Sequence, residues 1–287
     1  PNMPRYAILR EIQQLDPLAD HQRIVFLSSC YDFPFDTTRA LEFALFRTFC
    51  SPRISALLDR TGEFRERGQK RYDDTDIIVS EMLEHGYDSE RGRRALERMN
   101  RIHGRFAIDN EDLLYVLSTF IYEPIRWNAR FGWRAMCEQE RLGFFHFWRN
   151  VGRRMNIAEI PEEYDAYEAF NRDYEQRNFV FRESNRRTAE ATRELFVSWF
   201  PRAASPLVRS AIYALLDPPL LQAFGFPRAA WPMRLLVPWA LKLRGGVLRF
   251  CPPRRQPRLR TGQTFASYPG GYTIEALGPE APQSSDS

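Results

Sequence analysis

The chain has 287 residues, 44% of them hydrophobic and 27% charged, with a formal net charge of +4. That length and apolar content allow a substantial core, in one large domain or two small ones. The charge is mild, and arginines alternate with acids in stretches such as "ERGRRALERMNR". This is the pattern of a solvated helix face, and with no basic stripe or stacking motif it argues against nucleic acid as a partner.

Helical periodicity dominates from the first residues onward, and few runs alternate as a strand would. The spacing predicts helices over about 5–15, 17–28 and 36–60, the last broken near Pro52. Next comes "KRYDDT" (70–75), immediately before the apolar run "IIVSEML". A helix over 73–83 puts Arg71, Asp74 and Thr75 at i, i+3 and i+4, on a face that continues into Ile78 and Met82. Polar groups that look inward must be paired or used, so Arg71 and Asp74 are expected to offset one another. The cluster reads either as a capped helix start with an internal ion pair or as one wall of a site.

Further helices are predicted over 90–106, 110–130, 138–155, 163–176, 184–199, 205–216, 219–224 and 231–244. "Asp-Asn-Glu-Asp" at 109–112 supplies N-caps, and "Phe-Pro" at 200–201 supplies a stop. The segment "WPMRLLVPWALKLRGGVLRF" (231–250) is too short and too charged to span a bilayer. It suits equally a helix lying in the membrane interface, making peripheral membrane contact, and a proline-bent core helix. From Pro252 onward the chain has little to bury. The expected organisation is one all-α domain over 1–251, followed by an extended arm and a disordered end over 252–287.

Four cysteines, Cys30, Cys50, Cys137 and Cys251, are widely separated and form no C-x-x-C pair. This disfavours a zinc ribbon and covalent c-type haem, and reads as reduced, intracellular thiols. The chain starts at Pro1 without a methionine, which leaves a signal or anchor upstream open. No G-x-S-x-G, P-loop, Rossmann fingerprint or H-E-x-x-H occurs, so the common hydrolases, NTPases, dehydrogenases and zincins lack their signatures.

Of the four histidines, His21 and His85 are expected exposed at polar helix ends, and His146 in "FFHFW" reads as a hydrogen-bonded core residue. His103 differs, because it shares a helical stripe with Leu96, Met99 and Phe106. An imidazole there needs a partner, either a core hydrogen bond or a metal or haem iron. Gly104 follows at once, and a missing side chain lets a flat group approach the backbone. Cys251 is the one other soft ligand to weigh, although its prolines and arginines suggest a surface arm.

The pattern R-x-x-D-T at 71–75, H-G at 103–104, "DLLYVLSTFIYEPIRW" and "FWRNVGRRMNI" resembles the family of MpaB-type oxygenases and latex-clearing rubber oxygenases. "ALFRTF", "KRYDDT", "DLLY", "FGWR", "DYE" and "YPGGYTIEALGP" resemble segments of the fungal MpaB branch, in the same order over nearly the whole chain. The resemblance implies an all-α fold around a b-type haem, with His103 as proximal iron ligand, Gly104 beside it, and Arg71 and Thr75 on the distal side. Where the rubber oxygenases carry a distal lysine ligand, this chain has Asp74, with Lys70 one turn earlier. The implied function is haem-dependent oxygenation of a C=C bond in an apolar, isoprenoid-like or lipid-like small molecule, with dioxygen as co-substrate. Arg71, Asp74 and Thr75 are then the catalytic set, with Asp74 relaying a proton. The implied location is intracellular and membrane-associated, at the endoplasmic reticulum if the source is eukaryotic. The rival readings are a haem-binding carrier or sensor and a cofactor-free helical scaffold.

Overall fold

A computed structural model describes residues 4–279. Fourteen α-helices supply nearly all regular structure among these residues, and the fold is all-α, as the periodicity predicts. Helices α1 (Ala7–Ile12) and α2 (His21–Leu27) open the chain, and α2 passes through a wider, π-type turn at Ser28–Asp32 into α3 (Pro34–Phe49). Pro34 and Pro52 start α3 and α4 (Pro52–Thr61), since a first-turn proline lacks only an N–H that would go unused. Gly62, left-handed at φ 71°, ends α4 before the single turn of α5 (Glu63–Glu66).

Helix α6 (Gly68–His85) packs against α7 (Glu90–His103). It begins at Gly68, well before the predicted 73, so "KRYDDT" lies inside the helix and does not cap it. Helix α8 (Asn110–Phe131) starts as expected, with the Asp109 carboxylate accepting from the Glu111 amide at 3.0 Å. It buries residues around most of its circumference, which makes it the central helix. Around it stand α3, α9 (Glu138–Arg154), α10 (Tyr164–Asn178) and α14 (Trp231–Leu248). Helices α11 (Glu183–Ser198), α12 (Ser205–Leu215) and α13 (Pro218–Phe224) extend the bundle beside α4.

Buried polar residues fasten these helices at fixed points. Arg134 donates to Asp32 and Glu140, both at 2.6 Å, and ties the turn after α2 to α9. Arg47 on α3 donates to Glu175 of α10 at 2.5 Å and to Asp217 before α13 at 2.7 Å. Such pairs fix geometry more than they add stability, because desolvation offsets most of the attraction.

The stretch after Pro252 differs from expectation. It is irregular but packed: Phe265, Ile274 and Leu277 are buried in the main core, so it has more to bury than its composition suggests. The end predicted to be disordered, 280–287, lies outside the described residues.

Asn185 of α11 is fully buried, and its amide reaches the carbonyls of Cys50, Val180 and Ala223 while its oxygen accepts from Ser55 at 2.5 Å. Asn185→Ala leaves these groups unpaired and should lower the unfolding free energy by about 3 kcal/mol, read by urea denaturation.

Candidate functional site

A cavity of ≈ 900 Å³ opens between α3, α4, α6, α7 and α8. Its lining is mainly apolar, with Leu58, Ile78, Met82, Met99, Leu117 and Phe120 among the contributors. Into it face both helices singled out by sequence, for Arg71, Thr75 and His103 all line it. Arg71 and Thr75 are one turn apart on α6, and the same face continues into Ile78 and Met82 as the spacing requires.

Arg71 donates from Nη1 to Thr75 Oγ1, which in turn donates to the Arg71 carbonyl at 3.0 Å. The guanidinium also lies over the Phe64 ring at 5.3 Å. Burial lowers its pKa, although an arginine stays charged at any ordinary pH. No carboxylate lies within ion-pairing distance of Arg71 among the described residues, and the expected Arg71–Asp74 pair is not formed.

Asp74 pairs instead with Lys70, at 2.8 Å, and accepts a hydrogen bond from the Tyr268 hydroxyl. Lys70 also donates to the Gly278 carbonyl at 2.8 Å and to the Tyr268 hydroxyl at 3.1 Å. Asp74 therefore borders the cavity with its carboxylate engaged by the C-terminal arm. The rest of the acidic face of α6 does likewise. Asp73 accepts from the Ser267 amide at 2.9 Å, Asp76 from Arg260, and Glu81 from Tyr272 at 2.6 Å. The last described residues of the arm lie against the cavity, where Gly278 has φ 91° and an added Cβ would lie 2.4 Å from Ile102 Cδ1. Only glycine suits that position, on both counts.

His103 is the last residue of α7 and is partly buried, with its Nδ1 shielded from solvent and without a hydrogen-bond partner. A helix C-terminus ordinarily favours imidazolium. Here burial, aided by the Arg71 charge, wins and pushes the pKa down to about 4. At neutral pH His103 is an uncharged base with an orphaned ring nitrogen on an apolar cavity, the state in which imidazole ligates a metal. Gly104 is exposed, takes an ordinary helical φ of −63° and is not among the residues that line the cavity.

The other histidines are elsewhere. His21 is buried, contrary to expectation, between the Leu18 carbonyl at 2.7 Å and the Tyr87 hydroxyl at 2.5 Å. His85 lies 3.7 Å from Glu81, and His146 is partly exposed beside Phe145. Cys251 sits beyond α14 with its thiol toward the Val247 carbonyl, away from the cavity lining. Among the described residues no group of three or more His, Cys, Asp or Glu converges as a bare-ion site would.

Two cavity residues escaped the sequence reading. Glu42, on the apolar "ALEFALF", accepts from Tyr72 at 2.6 Å and Arg39 at 2.7 Å, and burial raises its pKa to about 7. Cys30 also reaches the lining, with its thiol held protonated by burial.

Comparison with known proteins adds to this geometry. Residues 42–247 match the family model described as "ER-bound oxygenase mpaB/B'/Rubber oxygenase, catalytic domain". The chain is 28% identical over 249 residues to ER-bound oxygenase mpaB' of Penicillium brevicompactum, covering 79% of this chain and 58% of that protein. It is 30% identical over 213 residues to ER-bound oxygenase mpaB of Penicillium roqueforti (strain FM164), covering 67% of this chain and 70% of the relative. A third relative, ER-bound oxygenase mpaB of Penicillium brevicompactum, is 30% identical over 219 residues, 66% of this chain and 55% of its own length. The match thus spans little more than half of two of these relatives.

Asp74→Asn should weaken the hold of the arm. We expect faster limited proteolysis within 252–263 and a loss of about 2 kcal/mol in stability, measured by urea unfolding. For His103, the lowered pKa means the unfolded chain binds the proton first. Its contribution to stability is complete above about pH 6.5 and declines as pH falls toward 4. In cofactor-free protein the His103 imidazole signals should titrate near 4 by NMR, and Arg71→Gln should move that titration upward.

Proposed function

The chain belongs to the family of MpaB and rubber oxygenase catalytic domains, and on that footing we propose that it is a haem-dependent oxygenase. Its substrate is an apolar, isoprenoid-like small molecule, and its reaction is oxidative cleavage of a C=C bond to carbonyl products. The observation that carries this reading is the neutral, orphaned imidazole of His103 on an apolar cavity of ≈ 900 Å³ that also holds the Arg71 guanidinium.

The residues present fit a b-type haem. A haem would bring most of the iron's donors itself, so the one imidazole of His103 would suffice from the protein and no cluster of protein ligands would be needed. His103 would hold the iron, and the haem when bound supplies dioxygen activation and electron transfer. The chain's own contribution is position and charge. Arg71 keeps a full positive charge in a mostly apolar space without a carboxylate partner, ready for negative charge that develops on oxygen in the transition state. Thr75 bonds both the guanidinium and the Arg71 carbonyl, so it is a positioning residue that fixes where that charge points. Glu42, with a pKa near 7, can hold or release a proton at the cavity wall, a role the sequence reading gave to Asp74. Asp74 acts through the arm, as the residue that closes the cavity side of α6. The apolar lining excludes water and orients an apolar chain by shape. The relatives' names place them at the endoplasmic reticulum, and the same location suits an enzyme whose substrate dissolves in lipid.

Purified protein supplied with haem should show a Soret band. His103→Ala should lose most of it while keeping the helical circular dichroism of the wild type. With an unsaturated isoprenoid under oxygen, Arg71→Ala should slow turnover about a hundredfold. Thr75→Val should retain haem and slow turnover about tenfold. Full haem occupancy in folded His103→Ala would overturn the ligand assignment, and full turnover in both Arg71→Ala and Thr75→Val would overturn their roles.

A further inference from the structure

Helix α14 has two apolar faces, and only one is covered. Its inner face carries Leu241, which packs with Trp127 and Phe131, and Gly245, where an added Cβ would lie 2.8 Å from the Phe131 carbonyl oxygen. Arg244 between them donates to Asp36 at 3.1 Å. The outer face carries Trp231, Leu235, Trp239, Leu243 and Val247, spaced four residues apart along the helix and all exposed. Trp231 is 67% exposed, Trp239 60%, and Phe250, just beyond the helix, 90%. Large aromatic and aliphatic side chains in one continuous stripe are not the ordinary scatter of surface hydrophobics.

The charge around this stripe is one-signed. Between Asp217 and Glu275 the sequence holds nine cations and no carboxylate, and of these Arg244 and Arg260 are paired with Asp36 and Asp76 of earlier helices. The even mixture of acids and arginines that marks the earlier helices stops at α13. Arg234 and Lys242 are exposed on α14 itself, and Arg254 follows on the exposed start of the arm. An apolar stripe bordered by cations, with tryptophans on it, matches the boundary between acyl chains and anionic headgroups. Among the described residues no helix is long and apolar enough to cross a membrane, so α14 would lie along the surface.

We propose that the outer face of α14, with the cationic run that follows it, docks on an anionic lipid bilayer as a monotopic membrane contact. This deepens the membrane location proposed above and is independent of the haem assignment. The stripe inserts below the headgroups while Arg234, Lys242 and Arg254 meet lipid phosphates. The inner face, held by Arg244 and Gly245, keeps the rest of the protein rigidly attached.

The test is flotation of the full chain with vesicles of phosphatidylcholine alone or with about one-third phosphatidylserine. The wild type should bind the anionic vesicles, with a blue shift of tryptophan emission, and binding should fall as salt rises. Trp239→Gln with Leu243→Gln should weaken binding at least about tenfold. Arg234→Glu with Lys242→Glu should abolish the preference for phosphatidylserine. Both variants alter exposed residues and should keep the wild-type melting temperature. Wild-type protein that ignores anionic vesicles at low salt would overturn the proposal. So would a concentration-dependent dimer that Trp239→Gln with Leu243→Gln converts to monomer without any vesicle binding, since the face would then be covered by a second copy.

Discussion

Five carboxylates on one helix, Asp73, Asp74, Asp76, Glu81 and Glu84, cannot be covered unless each finds a partner. An uncompensated buried charge costs several kcal/mol, and the net stability of a domain is only about 5–15 kcal/mol. On α6 these partners come largely from the arm: the Ser267 amide, the Tyr268 and Tyr272 hydroxyls, the Arg260 guanidinium and Thr261. The arrangement gives α6 two separate tasks. Its acidic side is locked to the C-terminal segment, and its other side is free to present Arg71 and Thr75 to the cavity without a competing carboxylate. The polarity of "KRYDDT" is thus a division of labour between alternate faces of one helix.

Much of the fold was legible because apolar residues at helical spacing mark most helices, and Pro52 marks a boundary that the chain obeys. The start of α6 was not legible, since Lys70, Arg71 and Asp73 interrupt the apolar period, and the arm residues that engage Lys70 and Asp73 lie about two hundred positions away. The packing of the arm was hidden for the same reason. Phe265, Ile274 and Leu277 are too sparse to form a periodic pattern, yet each fills a place in the main core. His21 looked like an exposed helix end and is buried because Tyr87, from a distant loop, covers it.

In the cavity, His103 was legible as a polar residue on an apolar stripe, and Arg71 and Thr75 as an i, i+4 pair. Asp74 was placed with them by its i+3 spacing from Arg71, but its carboxylate is drawn to the other edge of that face by Lys70 and the Tyr268 hydroxyl of the arm. Glu42 carried the opposite signal. A lone acid in the apolar run "ALEFALF" marks a core-facing position, and its burial is what makes it titrate near neutrality. Helix α14 was ambiguous by nature, since a helix apolar on both sides fits core and interface alike until neighbours are seen on one side only.

The Lys70 contact with Gly278 spans 208 positions of the chain. During synthesis α6, α7 and α8 leave the ribosome long before the segment that neutralises them. Until that segment arrives, the acidic face of α6 stays hydrated and the cavity lacks one wall. The helical body can collapse early, through local contacts, but the pocket is completed last. Any prosthetic group that needs a closed pocket is therefore captured only after Gly278 has emerged and folded back, and a ribosome stalled before that point leaves a helical body whose pocket lacks a wall.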